Sequence, residues 1–255
     1  MESNEKISGA VIKVMVAGTV FLASAKVQSQ VPPPAAPETV QPTVTYRMGD
    51  VGGKFRGTTP DPARTRHYYI AAEPVLWDFA PERRDPICGK PLPPAITNAP
   101  ARLKLRYIQY TDETFRKKVK PASRLGLLGP VLRGVVGDYL AVTFLNRTRY
   151  PLSMHPHGVK YDKDSEGAFY QPNPGLGAAV ANNARFTYVW QLDESSGPRP
   201  DEPSSKGWLY HSHVNGDDEI NLGLVGFIVV TDPKRARKGV IKGSVLTIDT
   251  RLGWR

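Results

Sequence analysis

At 255 residues and 40% apolar composition, the chain can form one large domain or two small ones, with enough apolar side chains to bury a real core. Its single cysteine, Cys88, excludes an intrachain disulfide and a Cys-rich structural zinc site, so stability must come from packing. The net charge of +10 favours anionic surroundings but says little about fold; the basic runs at 116–118 and 234–238 lie in turn-like segments without interleaved aromatics, and no nucleic-acid partner is read from them.

In chain order, residues 1–25 read as a signal peptide. Lys6 and Lys13 precede an apolar run from Val14 to Leu22, and Ala23-Ser24-Ala25 has the small-x-small form of a cleavage site. The run is too short to span a bilayer, so no stable membrane span is expected after cleavage, and the mature chain is placed outside the cell or in the periplasm. Residues 26–63 contain Val31-Pro32-Pro33-Pro34 and read as an extended Pro-rich tether.

The main domain is expected over 64–240. Short β-prone runs bounded by Gly, Pro, Asn and Asp predict strands at 67–79, 102–110, 131–136, 139–146, 152–159, 185–192, 207–214 and 226–231. No long segment has a 3.6-residue period, so the fold class is all-β, a sandwich or barrel. Loops at 80–100 and 193–206 are polar and proline-rich and belong on the surface. Cys88 lies in one of them without a neighbouring histidine, as a loop thiol, and His67 stands alone as an ordinary strand histidine.

Four of the five histidines fall in two pairs, His155-Pro156-His157 and His211-Ser212-His213. In a strand, residues i and i+2 share a face, whereas in a helix they diverge, so such a pair makes a two-imidazole rake only when extended. Pro156 pushes His155 into an extended conformation and belongs on a sheet edge, because it cannot donate to a ladder. Four imidazoles without a nearby thiolate suit copper, zinc, iron or nickel, and copper leads on ligand type. Asp217, Asp218 and Glu219 form an acidic run, but no calcium site is read from it.

These motifs sit in a wider pattern. Arg66-His67-Tyr68-Tyr69 with Val75-Leu76-Trp77-Asp78-Phe79, Leu125-Gly126-Leu127-Leu128-Gly129-Pro130, Val136-Gly137-Asp138, the stretch ending in Asn146, the His-Pro-His-Gly motif, and Gly223-Leu224-Val225-Gly226 follow in order. Together they resemble the first domain of a multicopper oxidase, of the ceruloplasmin and hephaestin branch that includes the A domains of coagulation factors V and VIII. The resemblance implies a cupredoxin-like Greek-key β-barrel or sandwich. It implies that His155 ligates a type 2 copper, that His157, His211 and His213 ligate a type 3 pair, and that Glu166 is a candidate proton donor during O2 reduction.

The same resemblance implies what this stretch does not supply. The other four histidines and the type 1 cysteine belong to a His-x-x-His-x-His and a His-Cys-His motif that this sequence lacks, so a second cupredoxin domain or subunit is the expected partner. Residues 241–255 read as the truncated start of a further domain or as a C-terminal tail. Oxidoreductase activity is expected only if that partner completes the cluster; the alternatives are a non-catalytic copper-binding or structural A-type domain, or a truncated gene product.

Overall fold

The computed structural model describes residues 52–236. The signal segment, the tether up to residue 51 and the readings made for 241–255 lie outside the described residues. Eight strands form: β1 (Thr65–Asp78), β2 (Ala101–Tyr110), β3 (Val131–Val135), β4 (Tyr139–Asn146), β5 (His155–Pro156), β6 (Arg185–Gln191), β7 (Ser205–His211) and β8 (Val225–Thr231), with short helices α1 (Pro94–Thr97) and α2 (Asp217–Leu222). They make two four-stranded sheets, ordered β2-β1-β4-β6 and β3-β8-β7-β5. β1 runs parallel to β4, and β3 parallel to β8, so strands distant in sequence lie side by side, as the all-β Greek-key reading requires.

Period-2 alternation sets which side chains meet between the sheets. Along β4, Leu140, Val142 and Phe144 oppose Trp190, Tyr188 and Phe186 of β6, and all six are fully buried. On the other face of the same ladder, Thr143 and Thr187 share a hydroxyl hydrogen bond of 3.0 Å. The second sheet contributes Leu132, Tyr210, Ile228 and Val230 to the same core. Each such side chain contributes about 1.5–3 kcal/mol on burial, which is where a chain without disulfides finds its stability.

Outside the first sheet lies a smaller cluster of Ala71, Tyr110, Phe115 and Leu145. Glu73 is buried beside it. Its carboxylate accepts from Tyr110 Oη, from Lys118 Nζ at 2.6 Å and from Arg147 Nη1 at 2.9 Å. Burial alone would raise the Glu73 pKa, but these three donors outweigh it and hold the group below its ordinary value.

Three boundaries differ from the sequence reading. Within the expected tether, residues from Gly52 on pack against the domain: Gly53 N donates to Thr187 O at 2.7 Å, and Phe55 is buried edge-to-face on Tyr139. The strand expected over 152–159 contributes only His155 and Pro156 to a ladder, because Leu152 exchanges backbone hydrogen bonds with Val180 instead and Gly158 turns the chain at φ +66°. β7 begins two residues early, at Ser205, and ends at His211, so His213 lies beyond the strand. The run from Asp217 opens α2, with Glu219 facing inward.

Candidate metal centre

β5 lies at the edge of the second sheet, as Pro156 demands, and pairs antiparallel with the end of β7 so that His155 stands opposite His211. His157 and His213 lie just beyond the ends of β5 and β7, each tied to a neighbouring segment through the backbone. His157 N donates to Leu209 O at 2.8 Å, and His213 forms a single bridge with Ala168. The four rings therefore converge at one end of the sheet. Ring centroids are 5.2 Å apart for His155 and His157, 5.6 Å for His155 and His211, 5.1 Å for His155 and His213, 5.0 Å for His157 and His211, and 5.4 Å for His211 and His213.

The Nδ1 hydrogen bonds of two rings make Nε2 of each the nitrogen that can coordinate, and that of His211 faces His157 Nε2. His155 Nδ1 donates to Glu166 O at 2.6 Å, and His211 Nδ1 donates to Ser212 O at 2.8 Å. Each bond fixes the tautomer that leaves a lone pair on Nε2, the arrangement a metal-binding imidazole needs. Burial pushes the His155 pKa down to about 4; the Glu166 carbonyl opposes this, and the other three histidines add to it. His211 is lowered for the same leading reason, burial. The two rings are neutral near pH 7, and so available as ligands.

His157 Nε2 and His211 Nε2 lie 2.9 Å apart. Two nitrogens at that spacing subtend roughly a right angle at an atom about 2.0–2.1 Å from each, the length of an ordinary imidazole–metal bond. Among the described residues no three His, Cys, Asp or Glu side chains close around a single point. The donor set fits a first-row metal held by few ligands per ion, and a thiolate is absent from it, since Cys88 is exposed in its loop.

The residues that hold the two His segments together were not legible in the sequence. Ser153 N donates to Ser212 Oγ at 3.0 Å, and His213 N donates to Ser153 Oγ at 2.9 Å, so two buried serines stitch the pairs across about sixty positions. Tyr107 Oη donates to Ser153 O at 2.6 Å from the core side. Glu219 Oε2 accepts from Val214 N at 3.0 Å, immediately after His213, while Oε1 has no hydrogen-bond partner among the described residues. Burial raises the Glu219 pKa, partly offset by hydrogen bonds from Ser212, Val214 and Asn215. Tyr170 Oη stands 3.4 Å from His213 Nε2.

Glu166 sits next to the rings in an unexpected way. Its backbone carbonyl holds His155, while its carboxylate pairs with Lys163 Nζ at 2.5 Å. Gly167 lets the chain pass there: at φ +68°, a Cβ would lie 2.1 Å from the Met154 carbonyl oxygen. His67 is exposed on β1, away from the four rings.

The sequence has relatives among known proteins. The multicopper oxidase family model matches residues 122–235, which contain all four clustered histidines. Mouse coagulation factor V is 39% identical over 172 residues, covering 66% of this chain and 8% of that protein. Human hephaestin is 36% identical over 182 residues, covering 66% of this chain and 16% of that protein. The chain thus spans a small fraction of the length of these relatives. A solved multi-copper oxidase from Pseudomonas Thermotolerans aligns at 21% identity over 66% of this chain and 30% of that chain, with a TM-score of 0.43. The described fold is a cupredoxin-like domain of the multicopper oxidase family, on the ceruloplasmin-like branch that includes hephaestin and coagulation factor V.

Proposed function

We propose that this domain binds copper through His155, His157, His211 and His213, as one half of a trinuclear cluster that a second cupredoxin domain or subunit completes. In this reading His155 serves the type 2 position, and His157, His211 and His213 serve the type 3 pair. The observation that carries it is the 2.9 Å approach of His157 Nε2 to His211 Nε2 within a ring cluster whose other members also present imidazole to the same space. Copper held there would supply electron transfer to O2, the electrons coming from a substrate oxidised at a type 1 site on the partner. The chain's own residues orient the rings through the Glu166 and Ser212 carbonyls and lock the two His segments through Ser153 and Ser212. The Glu166 carboxylate, paired with Lys163, is the acidic group assigned to proton delivery at the margin of the site. Export to the periplasm or cell exterior belongs to the same proposal, and no described helix is long and apolar enough to cross a membrane.

The second reading is a copper-binding or structural domain without turnover. Mixing the protein with a partner that carries the His-x-x-His-x-His and His-Cys-His motifs separates the two. The shared-cluster reading predicts association that strengthens with copper, since a ligand bound only by the assembled state shifts the equilibrium towards it. It also predicts that His211→Ala abolishes the copper dependence. Equal association without copper, unchanged by His211→Ala, leaves the structural reading in its place.

A further inference from the structure

A cavity of about 350 Å³ opens between the edge strands of the two sheets, β2 and β3, beneath the segment 118–125, and none of the four clustered histidines lines it. Among the described residues its wall carries five cations, Arg106, Lys118, Lys120, Arg124 and Arg133, and no carboxylate. Among the described residues, Lys118 is matched by Glu73, but Lys120, Arg124 and Arg133 enter no ion pair. Arg106 donates from Nε to the Leu128 carbonyl at 3.2 Å, which leaves its terminal nitrogens without a carboxylate. Burial holds its pKa below the ordinary arginine value.

Two properties of this cavity narrow what it can take. Cations of one sign around a concave space focus their field and raise the local concentration of anions. The lining is also apolar, with Ile108 and Val131 on the strands and Val119 and Leu125 on the covering segment, so a small hydrated anion such as phosphate leaves most of the wall unmatched. The volume falls in the range of ligand pockets. At about 30 Å³ per water-sized unit it holds roughly a dozen non-hydrogen atoms.

The geometry points to a binding site for a small organic acid with an apolar body, its carboxylate held by Arg133 and its neighbouring cations and its hydrocarbon laid on the apolar lining. The charge and the body act together, since the cations alone are partly hydrated and the apolar lining alone is small. Arg133 contributes through its side chain only; its backbone N–H and carbonyl are both engaged by Tyr68 Oη at 2.9 Å, so Arg133→Gln leaves the strand intact.

Calorimetric titration of the full chain with decanoate tests the site, with decanol and inorganic phosphate as competitors. Decanoate should bind saturably at one site, neither decanol nor phosphate should displace it at equal concentration, and Arg133→Gln should weaken it by about ten-fold or more, the loss of one charge-assisted hydrogen bond. Copper uptake should be the same in Arg133→Gln as in the parent, so the outcome is separable from the copper proposal. No decanoate binding, or equal binding by an Arg124→Gln, Arg133→Gln double variant with unchanged thermal unfolding, overturns the assignment. Displacement by phosphate at equal concentration also overturns it, reducing the cavity to a surface anion patch, as does displacement by decanol, which reduces it to an apolar groove.

Discussion

Gly167→Ala tests whether the backbone around Glu166 sets the His155 ring for metal. The added Cβ would meet Met154 O at 2.1 Å, Met154 C at 2.6 Å and His155 N at 3.0 Å, all main-chain atoms that cannot rotate away. Reaching a tolerable 3.0 Å from the oxygen requires the two segments to separate by about 0.9 Å (3.0 minus 2.1). A shift of that size along the His155 Nδ1 to Glu166 O bond stretches it from 2.6 Å to about 3.5 Å, beyond a useful hydrogen bond. The positive φ adds about 1–2 kcal/mol of strain. The variant should lose about 2–4 kcal/mol in urea unfolding, and its copper affinity should fall about 10- to 100-fold, as when an outer hydrogen bond to a ligating histidine is lost. Gly57→Ala is the control, with φ +80° and nothing within 4 Å of its Cβ, so it carries the strain without the collision. If Gly167→Ala binds copper like the parent and unfolds no earlier than Gly57→Ala, the claim that this backbone contact orients His155 is wrong.

Three further outcomes follow from particular residues. Glu73→Gln should cost about 2–3 kcal/mol at pH 7, less than a fully buried pair because Lys118 and Arg147 are partly exposed. Because the folded Glu73 pKa lies below its unfolded value near 4.5, that advantage is complete above the unfolded value and should shrink as urea curves are taken to lower pH through the folded one. Glu219 has the opposite sign: its folded pKa is raised, so the metal-free parent loses stability as pH rises from about 4.5, and Glu219→Gln should narrow or reverse that loss, giving a flatter stability–pH profile than the parent. Cys88→Ser should leave the visible spectrum of the copper-loaded protein unchanged, with no intense blue band in either form, because the thiol is exposed and lies in a loop without a histidine pair.

The eight strands were legible because their side chains alternate between core and surface or run apolar where both faces are covered, and because Gly, Pro and Asn mark their ends. The edge position of β5 followed from one residue, Pro156, whose missing N–H forbids an inner ladder. The ends of β5 and β7 were not legible, because Leu152 pairs with Val180 and His213 with Ala168, choices made by tertiary contacts and not by local propensity. The histidines announced themselves by spacing. The serines that bind the two pairs together did not, since Ser153 and Ser212 are common residue types whose meaning appears only when the chain brings them within 3.0 Å. Glu219 was visible as one of three acidic residues, but its burial comes from α2 folding under the His213 turn, which no pattern in 217–219 announces. The packing of Phe55 on Tyr139 was hidden for a similar reason, a lone aromatic at the end of a proline-rich stretch.

Copper stoichiometry after reconstitution and dialysis, compared between the parent and a His155→Ala, His157→Ala double variant of equal folded content, addresses the central claim most directly. The account predicts that the parent retains copper and that the double variant loses most of it, because one imidazole of the 2.9 Å pair and the Glu166-anchored ring are both gone. Full retention of copper by the folded double variant contradicts the account.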